Sequence, residues 1–276
     1  MLFDTLAIFG VGLLGGSLGL AAKAKHVARR VIGVGRSVSR LQEAKLAGIL
    51  DECTTDPIVG ITRADLVIVC TPVDDIVRQI REIAPHCPHG CLITDVGSTK
   101  RDIVENLCGT ASFVGSHPMA GSEKKGATYA RADLFQNRVC IVTPHKNSEP
   151  ASVRRIAQFW EALGSRVVEM SPEQHDRAVA YISHLPHAVA AALAGAVDPV
   201  HLAIAANGFK DTTRIAAAEP AIWEPIFRTN RDEVLAACDR FAEQFDTFRK
   251  LLAADDGAGL IHWLNEGKRV RDAVGS

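Results

Sequence analysis

Leu6-Ala7-Ile8-Phe9-Gly10-Val11-Gly12-Leu13-Leu14-Gly15 decides the fold. Four apolar residues read as a buried strand, and they run into a G-x-G-x-x-G. A helical stretch at 17–25 follows, and the next apolar run begins at Val31. A Gly-rich turn between strand and helix, inside a unit of this length, is the fingerprint of dinucleotide binding. Gly10 permits the tight turn, Gly12 lets backbone approach a pyrophosphate, and Gly15 lets helix and strand lie close. Leu13 and Leu14 sit in the same turn, where free helix N–H groups face the phosphates.

Working outward, Val31-Ile32-Gly33-Val34, Leu66-Val67-Ile68-Val69-Cys70 and Cys91-Leu92-Ile93-Thr94 are short apolar runs without alternation. Buried parallel strands have that character. Phe113-Val114, Val139-Cys140-Ile141-Val142 and Arg166-Val167-Val168-Glu169 read as further strands. Helical stretches at 39–47, 74–84 and 152–163 lie between them. The alternation predicts a doubly wound, mostly parallel Rossmann-type α/β sheet. The character changes near 171, where Ser171-Pro172-Glu173-Gln174 supplies an N-cap, a first-turn proline and a capping-box glutamine. From there only helical stretches appear, at about 172–197, 199–206, 220–228, 230–254 and 257–273. The expected organisation is a dinucleotide-binding domain over 1–170 and an all-helical substrate-binding and dimerisation domain over 171–276. A helical half this small and Ala-rich makes a thin core alone, which predicts a homodimer.

At ~150 residues per domain, 276 residues suit two domains. Hydrophobic residues are 47% and charged residues 23%, which excludes disordered and low-complexity classes. Lys+Arg number 31 against 32 Asp+Glu, a net charge of −1, so the basic footprint of a nucleic-acid binder is missing. No apolar run reaches the ~18–20 residues of a membrane span. Met1-Leu2-Phe3-Asp4 lacks the basic flank of a signal peptide. The seven cysteines are an odd, irregularly spaced set, which predicts reduced thiols and a cytoplasmic location. His86-Cys87-Pro88-His89-Gly90-Cys91 lacks a second ligand pair, so it reads as a loop, and no metal is expected.

An NAD site usually carries Asp or Glu at the end of the second strand, to bind the ribose 2′-OH. This chain has Gly35-Arg36-Ser37-Val38-Ser39-Arg40 there. Arg36 and Arg40, with the hydroxyls of Ser37 and Ser39, would attract a 2′-phosphate, so NADP is expected ahead of NAD. Thr71-Pro72 follows a central strand, where the nicotinamide half would lie.

Four stretches are too polar and too rich in Gly, Pro and His for plain core. They are Asp95-Val96-Gly97-Ser98-Thr99-Lys100, Ser116-His117-Pro118-Met119-Ala120-Gly121-Ser122-Glu123, Ser183-His184-Leu185-Pro186-His187 and Gly208-Phe209-Lys210-Asp211-Thr212-Thr213-Arg214. With the G-x-G-x-x-G and a Cys70-Thr71-Pro72 after a strand, in this order along nearly the whole chain, they resemble the prephenate/arogenate dehydrogenase family of tyrosine biosynthesis. The resemblance implies oxidative decarboxylation of prephenate to 4-hydroxyphenylpyruvate, or of arogenate to tyrosine. It implies that His117 takes the proton of the C4 hydroxyl while hydride leaves C4 for the nicotinamide, and that Ser98 orients the reacting groups. Arg214 then binds the ring carboxylate, and Asp211 steadies Arg214 or its loop. Trp223 approaches the site, from its own chain or from a partner subunit. Ser183 and His187, four apart on one helix face, approach the substrate side chain. Ser122 and Glu123 follow the His117 loop, near substrate or a partner cation. The rival reading is a β-hydroxyacid dehydrogenase, whose catalytic lysine is not evident in any such motif here.

Overall fold

In the computed structural model, which describes residues 1–110, 112–121 and 124–275, the opening stretch forms strand β1 (Phe3–Phe9) and helix α1 (Leu13–Ala24). Then come β2 (Ala28–Val34), α2 (Val38–Leu46), β3 (Glu52–Thr54), α3 (Pro57–Ile61), β4 (Leu66–Val69), α4 (Val73–Ile83) and β5 (Leu92–Asp95). The five strands form one parallel sheet in the order β3-β2-β1-β4-β5. The strand order reverses between β1 and β4, the point where doubly wound sheets bind ligands.

Side chains alternate across β1. Leu6 and Ile8 join a core with Leu18, Phe159 and Trp160, whereas Ala7 and Phe9 join a second core with Ile76, Ile80 and Ile93. Both faces are therefore covered, which is why β4 is apolar on both sides.

Helix α5 (Arg101–Asn106), β6 (Gly115–Pro118), β7 (Val139–Thr143), α6 (Pro150–Ala162) and β8 (Arg166–Glu169) follow. The last three strands form a separate sheet, β6-β7-β8, with β6 antiparallel to β7 and β7 parallel to β8. The strand expected at Phe113-Val114 is only an isolated bridge from Phe113 to Ile93. The strand itself starts at Gly115 and carries His117. Asp95 explains the break: its Oδ1 accepts the Ser116 amide at 3.1 Å, in place of a ladder carbonyl. The chain then leaves β5 and pairs with β7.

Helix α7 (Pro172–Val179) opens with the expected capping box between Ser171 and Gln174. It continues through a π turn, Ala180–His184, into α8 (Leu185–Gly195). Pro186 has no N–H to give and crowds the carbonyl four residues back, and the widened turn accommodates it without breaking the helix. Among the described residues, Pro172–Gly195 is the one helix long and apolar enough to cross a membrane by length and composition. Charged and polar residues at its start kept it from reading as one apolar run.

The polar stretch at 208–214 is a short helix, α9 (Asn207–Thr213), followed by a 3₁₀ turn at Arg214–Ala217 and by α10 (Pro220–Thr229). Contacts divide the chain into Met1–Asn230 and Arg231–Ser276. The helices from 172 to 230 thus pack with the α/β half, although the composition changes near 170. The second unit holds α11 (Arg231–Ala253) and α12 (Gly257–Val274).

Candidate active site

The Gly-rich turn is built as a cradle. Gly10 has φ +85°, and a Cβ there would lie 2.9 Å from the Cys70 carbonyl oxygen. A Cβ on Gly15 would lie 2.2 Å from the Gly10 carbonyl oxygen, whereas one on Gly12 would meet no protein atom. Gly12, Leu13 and Leu14 therefore present open backbone at the N-terminus of α1, where Gly12 as N-cap contributes no side chain. Beside Gly10, the Thr71 hydroxyl is buried with no hydrogen-bond partner. Pro72 caps α4 from an extended conformation. At the end of β2, Ser37 caps α2 by accepting the Arg40 amide at 3.4 Å, and its hydroxyl lies 3.1 Å from that of Ser39. Arg36 and Arg40 are exposed at this turn. An open backbone cradle, an orphaned hydroxyl and a cationic turn fit a dinucleotide.

Strand register carries the cradle toward the chemistry. Phe9 pairs with Val69, and Val69 with Asp95. Asp95 then accepts the Ser116 amide, one residue before His117. Asp95 and Lys100 form an ion pair at 2.5 Å with both side chains wholly buried. Asp95 also accepts the Gly97 amide at 2.8 Å. A paired buried charge of this kind is costly to break and holds the Gly97–Lys100 loop in place. Ser98, on that loop, is half-buried.

Ser98 does not cap α5. Asp176 does so from α7, accepting the Lys100 amide at 2.7 Å and the Arg101 amide at 3.0 Å. The same carboxylate lies 2.7 Å from Nδ1 of His175, and Nε2 of His175 lies 2.8 Å from Nδ1 of His117. His117 is 8% exposed, His175 0% and Asp176 1%. Burial pushes the His117 imidazole well below 6.5, and His175, Lys100 and His184 push it further in the same direction. Burial also lowers His175, against the opposing pull of Asp176. Burial alone would raise the Asp176 carboxyl, but the His175 ring and the two backbone amides outweigh it and hold the group low.

The sequence reading missed His175, Asp176 and the Lys100–Asp95 pair. Lys100 and Asp95 stood inside a quoted motif. His175-Asp176 directly follow the Ser171 cap, but neighbours in a helix point apart and gave no pairing signal.

His184 is buried, and its Nδ1 lies 3.2 Å from the Asn230 amide nitrogen, which also donates to the Asp176 carbonyl at 2.8 Å. Burial pushes His184 down to about 4. His187 is also pushed down to about 4, by burial first and then by the Arg214 guanidinium. Its ring stacks on Trp223 of the same chain with centroids 3.4 Å apart. Electrostatic neighbours thus run from His117 to His184, to His187, to Arg214. Ser183 is half-buried in the π turn, while Asp211 and Arg214 are exposed on α9 and the 3₁₀ turn. Ser122 and Glu123 lie outside the described residues.

A Rossmann cradle joined by strand register to a buried, uncharged imidazole is the architecture of a nicotinamide-dependent dehydrogenase. Residues 18–169 match the family model for the prephenate dehydrogenase nucleotide-binding domain, and residues 171–266 match that for the prephenate dehydrogenase dimerization domain. The chain belongs to the prephenate dehydrogenase family. It is 36% identical over 282 residues to prephenate dehydrogenase of Bacillus subtilis (strain 168), covering 98% of this chain and 76% of that protein. It is 32% identical over 283 residues to cyclohexadienyl dehydrogenase of Zymomonas mobilis, covering 99% and 96%. The crystal structure of prephenate dehydrogenase from A. aeolicus, in complex with hydroxyphenyl propionate and NAD+, superposes with a TM-score of 0.92 at 31% identity, covering 98% of both chains.

Proposed function

We propose that the protein oxidatively decarboxylates prephenate to 4-hydroxyphenylpyruvate, with arogenate as the alternative substrate and NADP⁺ preferred over NAD⁺. The observation that carries the activity is the His117 imidazole, buried next to the dinucleotide-bearing sheet end, from which electrostatic neighbours run through His184 and His187 to Arg214. A neutral ring is the form able to take a hydroxyl proton. When bound, the nicotinamide accepts hydride from C4 of the substrate. His117 removes the C4 hydroxyl proton, and Ser98 orients that hydroxyl. As the ring becomes aromatic, the bond to its carboxylate breaks and CO₂ departs.

Arg214 holds the ring carboxylate through the planar fork of its guanidinium. Ser183 and His187 meet the side chain. His187 is neutral above pH ~6 because burial and Arg214 depress it. A neutral imidazole suits hydrogen bonding to a keto group, which favours prephenate. Asp211 steadies the Arg214 turn. Arg36 and Arg40 at the end of β2 supply cations for a 2′-phosphate, and no carboxylate from Gly35 to Arg40 repels it. Residues 171–276 serve as the substrate and dimerisation domain of a homodimer. The seven free thiols suit a reducing, cytoplasmic compartment.

The test is reduced-nicotinamide absorbance with prephenate or arogenate, each with NADP⁺ or NAD⁺. The expected order is highest kcat/KM for prephenate with NADP⁺. Equal or better kcat/KM with NAD⁺ overturns the cofactor preference, and no turnover of either substrate overturns the activity.

A further inference from the structure

We propose that His175 and Asp176 form a proton sink behind His117, and that they act as positioning residues for its role as base. This rests on the reading of His117 given above. The hydrogen-bond chain fixes every tautomer in it. Asp176 is an acceptor only, already receiving the Lys100 and Arg101 amides, so Nδ1 of His175 must donate to it. Neutral His175 then has a lone pair on Nε2, which accepts Nδ1–H of His117 across 2.8 Å. Nε2 of His117 is left unprotonated. One carboxylate, two rings away, thereby selects which nitrogen receives the substrate proton.

The same chain gives that proton's charge a destination. The substrate O–H proton goes to Nε2 of His117, and the proton on Nδ1 of His117 passes to Nε2 of His175. His117 ends as the other neutral tautomer, and His175 as an imidazolium donating to the Asp176 carboxylate at 2.7 Å. One proton enters and one moves on. Hydride departs separately to the oxidised nicotinamide dinucleotide.

The groups facing His117 favour this outcome. Lys100, paired with Asp95, and His184 act on it electrostatically, and the Cys140 thiol on β7 lies against its backbone. Lys100 and burial disfavour a cation on either ring, but one on His117 would sit beside two further histidines, whereas one on His175 touches the Asp176 carboxylate and is also favoured by Asp95. Buried groups at this distance interact strongly. All three side chains exclude water, none being more than 8% exposed.

The first experiment needs no substrate. Ring-nitrogen ¹⁵N shifts of histidine-labelled protein at pH 7 should show Nδ1 protonated and Nε2 bare in both His117 and His175. A neutral His117 carrying its proton on Nε2 overturns the proposal, whether or not the enzyme turns over prephenate.

The second experiment is His175→Gln. The glutamine carbonyl still accepts from Nδ1 of His117 but takes no proton. With prephenate and NADP⁺, kcat should fall by about 10²-fold, while KM and NADP⁺ affinity stay within about twofold. Unchanged kcat in a folded His175→Gln overturns the relay while leaving the activity reading intact. Lack of turnover in wild type overturns the activity reading alone. Should His175→Gln not fold, the wild-type tautomers decide.

Discussion

Burial, His175, Lys100 and His184 keep the His117 ring uncharged through neutral pH. The sign of its pH dependence follows. A base whose pKa is depressed stays deprotonated below the ordinary ~6.5 of histidine. Plotted against pH, kcat/KM should therefore be level from about 8 down to about 6.5 and fall only in stronger acid. An acid limb centred at or above ~7 contradicts the assignment. His184 and His187, both held at about 4, add the same sign to stability. Their contribution is complete above ~6.5, the unfolded value, and is lost as pH falls toward 4. His117→Asn should lose about 10²- to 10⁴-fold in kcat with dinucleotide affinity unchanged, and Arg214→Ala should act mainly by raising KM. Steady-state kinetics of the two variants separates base from carboxylate clamp, and near-full turnover by His117→Asn excludes it as the base.

Elements with a single strong local signal were legible in the sequence. The strand–turn–helix at 6–25 was, because glycine spacing, apolar run and helix register all agree there. Helix α7 was too, from its capping box. Elements set by distant partners were not. Strand β3 is only Glu52–Thr54, held by pairing with β2 and carrying no apolar run. Strand β6 begins two residues later than the apolar pair 113–114, because the Asp95 carboxylate ends the ladder. Helix α9 was hidden by its Gly, Asp and Thr residues, poor helix formers whose hydroxyls here bond backward, Thr212 to the Gly208 carbonyl and Thr213 to that of Phe209. Of the proposed site, the family resemblance marked His117, Ser98 and Arg214. The His117–His175 link at the head of the chain to Asp176 joins residues 58 apart in sequence, which local spacing cannot encode. The Gly-rich turn itself yields a paired prediction. Gly15→Ala places a methyl 2.2 Å from the Gly10 carbonyl oxygen and should cost about 1–3 kcal/mol, lowering Tm by roughly 3–10 °C. Gly12→Ala meets no protein atom and should leave Tm unchanged while weakening dinucleotide binding at least ~10-fold, because its methyl points at the pyrophosphate. Thermal melts and titration calorimetry read the two effects separately. Wild-type affinity in Gly12→Ala contradicts the cradle.

At the scale of the whole molecule, the unit Arg231–Ser276 raises a problem of stability. It consists of two helices, α11 and α12. Phe248 and Trp263 meet across them with ring centroids 5.3 Å apart. Yet Phe241, Phe245 and Leu252 on α11 and Ile261, Leu264 and Val270 on α12 are all at least 40% exposed. A helix pair this small cannot exclude water from both its faces, and chains of this size usually need a partner to complete a core. Large apolar side chains exposed in this number are the mark of an interface. Residues 171–266 match a dimerization-domain model, and the occupant proposed for that face is a second copy of the chain. Light scattering should therefore give twice the chain mass of 29.6 kDa, holding at micromolar dilution because a face this apolar favours a permanent dimer. Phe245→Glu with Leu264→Glu, which bury no site residue named above, should shift the mass toward one chain. A single-chain mass for the wild type at every concentration contradicts the dimer and leaves these exposed side chains without an account.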